Sequence, residues 1–167
     1  MKKIYLSLFI LILAISFNAA AKSVSVKDAR LAGKNFYYER VNSHTQVSYQ
    51  DLSITGEFVE KDGTEPLFYI FNFNEKGFII VSAEDACMPI LGYSFETSYT
   101  PDNQSDAFLS LLDRFKREIV YVRQGNHPPD ETITSSWQKL SATDPTQFMT
   151  FPMRNCGSAN SLTSSSG

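Results

Sequence analysis

Hydrophobic positions recur along this chain first at helical spacing, then at strand spacing, then at helical spacing again. Between Val26 and Val41, the residues Val26, Ala29, Ala32 and Phe36 fall three and four apart, and Lys27, Asp28, Arg30, Lys34, Glu39 and Arg40 occupy the sides. That spacing predicts an amphipathic helix. Gly33 weakens it by about 1 kcal/mol relative to alanine, and Asn42-Ser43-His44 ends it. Residues 47–60 mix β-branched and aromatic residues with polar ones and predict a strand. Lys61-Asp62-Gly63-Thr64 follows, where Asp-Gly is a hairpin signal. Across residues 67–74 the pattern alternates, with Leu67, Tyr69, Phe71 and Phe73 on one face and Phe68, Ile70, Asn72 and Asn74 on the other. Asn74-Glu75-Lys76-Gly77 reverses the chain, Phe78-Ile79-Ile80-Val81 is an all-apolar strand, and residues 90–95 supply another, interrupted at Gly92.

The strongest helical pattern comes last. Residues 100–105 carry turn and cap chemistry. Phe108, Leu111, Leu112, Phe115, Ile119 and Val122 follow at helical spacing, and Gly125-Asn126-His127-Pro128-Pro129 stops the helix. Burying all six side chains would contribute roughly 9–18 kcal/mol of transfer energy, enough to seat this helix on the sheet. Sequential strands with tight turns predict an antiparallel meander. The fold class is therefore α+β: three to four strands with N-terminal and C-terminal helices packed on them, over residues 22–125. Residues 126–167 have Trp137 and Leu140 as isolated anchors, end in Ser164-Ser165-Ser166-Gly167, and read as a poorly structured tail.

Residues 1–21 stand outside this domain. Lys2 and Lys3 precede an apolar run, and Ala19-Ala20-Ala21 offers small residues at a signal-peptidase site. The run is about 13 residues long, where a membrane helix needs roughly 20. A cleaved bacterial leader, and a periplasmic or secreted protein with no membrane attachment after cleavage, are the expectation. Removing the leader takes away two lysines, so 15 basic residues fall to 13 against 18 acidic ones. An acidic exported domain has no electrostatic footprint for nucleic acid. Export also places Cys87 and Cys156 where a disulfide persists. Such a bridge would close a loop of about 70 residues and contribute roughly 4 kcal/mol. The loop-like flank of Cys87 and the polar tail around Cys156 favour two free thiols.

Candidate chemistry is sparse. A catalytic cysteine needs a helix N-terminus behind it and a histidine brought near in the fold. Cys156 is followed by Gly157-Ser158-Ala159-Asn160-Ser161, with His44 and His127 both upstream in loops. Two distant histidines beside unclustered cysteines make no zinc spacing, and Asp62-Gly63 lacks the acidic repeat of a calcium loop. No phosphate-binding loop, dinucleotide fingerprint or Gly-x-Ser-x-Gly occurs, so no cofactor and no metal is expected. Glu84-Asp85 reads as a solvated loop charge, and the aromatic run of residues 68–73 as packed core. The residues do not build an enzyme.

At Gly77-Phe78-Ile79-Ile80-Val81-Ser82-Ala83-Glu84 and Ile90-Leu91-Gly92-Tyr93-Ser94 the sequence resembles the pro-domain of the streptopain family of bacterial papain-like cysteine proteases, and the free-standing Spi-type inhibitors that copy it. Asp28-Ala29-Arg30 to Phe36 resembles the opening helix of that pro-domain. Leu67-Phe68-Tyr69-Ile70-Phe71-Asn72 resembles the strand ahead of its glycine turn, and Phe108 to Ile119 its closing helix. Glu131-Thr132-Ile133-Thr134-Ser135-Ser136-Trp137-Gln138-Lys139-Leu140 resembles the linker beyond, leading toward a catalytic domain that this chain lacks. The resemblance implies a domain that binds a streptopain-type cysteine protease in trans and keeps its catalytic histidine from its working position. Its alternatives are a truncated protease precursor and a non-inhibitory exported binding module. In the family an asparagine immediately ahead of the closing helix takes part. Counting back from Phe115 and Ile119 brings Ala107 or Asp106 to that place, with Asn103 just upstream, so Asn103 and Asp106 are the candidate inhibitory contacts. The competing role for both is helix capping.

The leader reading makes a direct prediction. Protein exported from cells should begin at Lys22, after cleavage behind Ala21, and intact-mass measurement checks it. Exported protein retaining Met1 would contradict the prediction.

Overall fold

The computed structural model describes residues 22–43, 45–74 and 76–144. Helix α1 (Val26–Val41) precedes four strands, β1 (Ile54–Asp62), β2 (Glu65–Phe73), β3 (Phe78–Ser82) and β4 (Ile90–Ser94). Helices α2 (Asp106–Gly125) and α3 (Glu131–Leu140) follow. The strands form one antiparallel sheet in the order β1-β2-β3-β4. This is the α+β meander that the pattern predicts.

The two central strands carry the fold. Every residue of β3 is buried, as is β2 from Leu67 to Phe73. An apolar sheet wet on either face would be unstable, so each face needs a cover. On one face α1 packs Ala29, Ala32, Tyr37 and Tyr38 against Tyr69, Phe71, Phe73, Ile79 and Val81. On the other α2 packs Leu112, Phe115 and Ile119 against Phe68, Ile70, Phe78 and Ile80. Three α2 side chains are fully buried, rather than the six that its spacing offers. That burial contributes about 5–9 kcal/mol, half the sequence-based figure.

Two glycines permit this packing. A Cβ on Gly33 would lie 3.2 Å from Val81 and 3.3 Å from Phe71, so the residue that weakens α1 as a helix lets it sit close on the sheet. Gly77 turns β2 into β3 at φ 91°, and a Cβ there would stand 2.1 Å from the Ser94 carbonyl oxygen. Any other residue would have to displace β4.

The structure corrects the sequence reading in four places. The first strand begins at Ile54, not Val47. Residues 47–52 instead fold back on α1, where Leu52 is buried and Tyr49 sets its ring edge-on to Tyr38. Leu67 breaks the alternation of β2: a register shift between Glu60 and Lys61 turns it to the α2 side with Phe68. Glu84 is not a solvated charge but is 1% exposed, with Arg123 Nε 3.1 Å from its Oε2. The guanidinium also donates to the Pro66 carbonyl, so this pair ties α2 to the sheet. Glu84 Oε1 finds no hydrogen-bond partner among the described residues.

The fourth correction concerns the tail. Residues 131–140 are a helix, capped at Asp130, whose carboxylate accepts from the Ile133 amide. Its amphipathic face lies against α1. Leu140 is buried, Trp137 Nε1 donates to the Cys87 carbonyl at 2.9 Å, and Lys139 pairs with Glu39. Ile133, Trp137 and Leu140 fall four and three apart, a helical spacing that reading Trp137 and Leu140 as isolated anchors passes over, and so short a helix folds by docking rather than alone. Residues 145–167, including Cys156 and the serine-rich end, lie outside the described residues.

Asn35 holds that docking. It is 1% exposed; its Nδ2 donates to the carbonyls of Leu140 (2.8 Å) and Ala142 (2.9 Å), and its Oδ1 accepts from the Tyr49 hydroxyl (2.7 Å). Replacing it leaves one buried and two part-buried groups without that partner. Asn35→Ala should therefore lower unfolding stability by about 2–3 kcal/mol and expose the α2–α3 connection to limited proteolysis. Chemical denaturation and digestion check both, and an unchanged midpoint with α3 still protected would contradict this account of the third helix.

Candidate functional site

The segment between β4 and α2 holds Asn103, and Asp106 opens α2 directly after it. Asn103 is exposed and sits in the left-handed region at φ 60°, a conformation that asparagine tolerates better than most residues. Asp106 is exposed in the first turn of α2. The capping role belongs to neither. Ser105 is the N-cap, its hydroxyl accepting from the Phe108 amide at 3.3 Å. Asp106 contributes a carboxylate at the positive end of the helix, and Asn103 stands one turn outside it.

The loop is exposed but fastened from below. Asn72, 8% exposed on β2, accepts from the Tyr99 amide through Oδ1 and donates to the Tyr99 carbonyl through Nδ2, each at 2.8 Å. One side-chain amide thus replaces a strand partner for Tyr99. The Tyr99 ring packs edge-on against Phe58 and Phe78 and tilts against Phe108, which ties the loop to both sheet and helix. The Thr100 hydroxyl donates to the Asp102 carbonyl and closes the turn that leads to Asn103. Ser105 lies in the segment whose composition predicts a cap, whereas sequence reasoning missed Asn72 and Tyr99 as positioning residues. The available signal was Asn72 itself, a polar residue on an otherwise apolar strand that must find partners once buried.

Beside Asp106, Leu109 lies one turn along α2 and is 48% exposed. Residues three apart share a helix face, so a carboxylate and an uncovered aliphatic side chain are presented together. Elsewhere a groove of about 300 Å³ runs between β4, α1 and α3, lined by Phe36, Pro89, Leu91, Tyr93 and Leu140 among others.

The remaining chemistry-bearing residues do not converge. Cys87 is half-buried, and burial, with the nearby charge of Glu84, pushes its thiol up to about 11. That is opposite to the direction which activates a nucleophile. His127 stacks on Tyr121 beyond the end of α2, while His44 and Cys156 lie outside the described residues. Among the described residues no group of three or more His, Cys, Asp or Glu could hold a metal ion, and no helix is long and apolar enough to cross a membrane.

Comparison with known proteins bears on the family of the chain. The chain is 30% identical over 136 residues to the thiol protease/hemagglutinin PrtT of Porphyromonas gingivalis, a match covering 80% of this chain and 15% of PrtT. No solved structure matches. Residues 21–119, which hold α1, the whole sheet and most of α2, match the family described as Spi protease inhibitor. The chain belongs to the Spi protease inhibitor family, as an α+β domain of inhibitor or pro-peptide type.

Proposed function

We propose that this domain, exported and freed of its leader, binds a streptopain-type cysteine protease in trans and blocks its active site with residues 100–106. One observation carries the reading: Asn103 and Asp106 are exposed on a loop whose base is fixed by the two Asn72 hydrogen bonds to Tyr99. A loop already held in one shape loses less entropy when it binds. The family and the similarity to a thiol protease support the choice of target.

The chemistry of the contact follows from the side chains. The Asn103 amide can donate to one imidazole nitrogen or accept from the other, and so hold a catalytic histidine away from its thiol. The Asp106 carboxylate only accepts, and it favours the charged imidazolium. Leu109, beside Asp106, offers the apolar anchor that such an interface needs near its polar contacts.

A second reading has its own support. PrtT is far longer than this chain, which spans 15% of it, so a domain of this kind also occurs as part of a larger thiol protease. Linked to its protease, the domain would work at an effective concentration around millimolar and tolerate modest affinity. Acting in trans it needs a well-packed interface of about 1,600 Å² in total.

Purified protein should slow peptide cleavage by a streptopain-type protease. Asn103→Gly keeps the left-handed backbone while deleting the amide. It should weaken inhibition by roughly 5- to 150-fold, about 1–3 kcal/mol, with the melting temperature unchanged. Asn72→Ala should weaken inhibition and also lower the melting temperature, because it frees the Tyr99 backbone. If Asn103→Gly and Asp106→Ala both inhibit like the parent, the loop is not the inhibitory contact.

A further inference from the structure

The first described residues run antiparallel to the end of β3 and the turn beyond it. The Val24 amide donates to the Ala83 carbonyl at 3.0 Å, the Asp85 amide donates to the Lys22 carbonyl at 3.1 Å, and Ser23 bridges Glu84. The Tyr69 hydroxyl donates to the Val24 carbonyl from within the core. At the outer end of this short ladder, the backbone nitrogen of Lys22 donates to Asp85 Oδ1 at 2.7 Å. Asp85 therefore grips residue 22 twice, through its own amide and through its carboxylate.

That nitrogen is also the atom a signal peptidase would release. Hydrolysis of the Ala21–Lys22 bond leaves a carboxylate on Ala21 and turns the Lys22 nitrogen from an amide into an amine. With an ordinary pKa near 7.7–8.0, the new amine is largely protonated at neutral pH. One neutral donor becomes an ammonium with a full charge and three donors, already in place on a carboxylate.

We propose that Asp85 is a binding site for the chain's own new N-terminus, so that removal of the leader converts a backbone hydrogen bond into an ion pair. The site reads the position of the terminus. With Ala21 retained, the ammonium moves one residue outward, about 3.5 Å along the chain, and an amide again faces Asp85. Glu84, the neighbouring acid, is buried and meets Arg123 through Oε2, while the Lys22 nitrogen lies on Asp85. The turn so fastened also carries the Glu84–Arg123 tie to α2 and the Cys87 carbonyl that receives Trp137 of α3. Leader cleavage would therefore tighten the junction at which the N-terminus, α2 and α3 meet. The inference rests on cleavage after Ala21, and it stands or falls independently of protease inhibition.

The test compares chains beginning at Lys22 and at Ala21, each released from a fusion partner without extra residues, and each also made as Asp85→Asn. The chain beginning at Lys22 should melt about 1–4 °C above the chain beginning at Ala21. The gap should shrink in 1 M salt and vanish in Asp85→Asn. The intact mass of exported protein should correspond to a chain beginning at Lys22. Equal melting temperatures, a gap that persists in Asp85→Asn, or an exported chain starting at another residue would each overturn the proposal.

Discussion

A β-sheet whose two middle strands are apolar on both faces cannot face water on either side, and the rest of this structure answers that constraint. Phe68, Ile70 and Ile80 require one cover, while Tyr69, Phe71, Ile79 and Val81 require another. The chain supplies α1 before the sheet and α2 after it, on opposite faces. Close packing then fixes the small residues: Gly33 where α1 meets Val81 and Phe71, and Gly77 where the β2–β3 turn passes under Ser94. The edge strand β1 stays partly exposed and is tied to each helix by ion pairs, Arg30–Glu57 and Lys116–Glu60. These lie at the surface, where ion pairs are weak, so apolar burial dominates.

Buried polar groups then decide how the outer parts attach to this core. Asn35 docks the segment after α3, Asn72 fixes the loop before α2, and Glu84 with Arg123 joins the end of α2 to the turn after β3. Each lies within or against an apolar surface where an unpaired group is costly, so each attachment has one well-defined geometry. This is why the exposed segment at residues 100–106 can present a fixed shape, as the proposed inhibitory contact requires.

Where burial is periodic, the sequence already disclosed the structure. The bounds of α1, the β2–β3–β4 meander and the amphipathic face of α2 all follow from spacing that one apolar stripe or one sheet face imposes. Features set by single long-range contacts did not show. The α3 helix is short, and its docking depends on Asn35, 105 positions before Leu140. The side of Leu67 depends on a register shift that alternation cannot reveal, and the burial of Glu84 depends on an arginine 39 residues away. At the candidate site, family resemblance points to Asn103 and Asp106, while the structure gives the helix cap to Ser105 and the anchoring of the segment to Asn72, whose partner Tyr99 lies 27 residues away.

The central claim is that the loop held by Asn72 is the surface that meets a cysteine protease. Amide hydrogen exchange of the domain, alone and with a streptopain-type protease whose catalytic cysteine has been replaced, tests it directly, because an exposed loop exchanges rapidly until something covers it. The account predicts new protection concentrated in residues 100–109, with β1 and α3 unchanged. Protection confined to β1 or α3, while residues 100–109 exchange as freely as before, would contradict it.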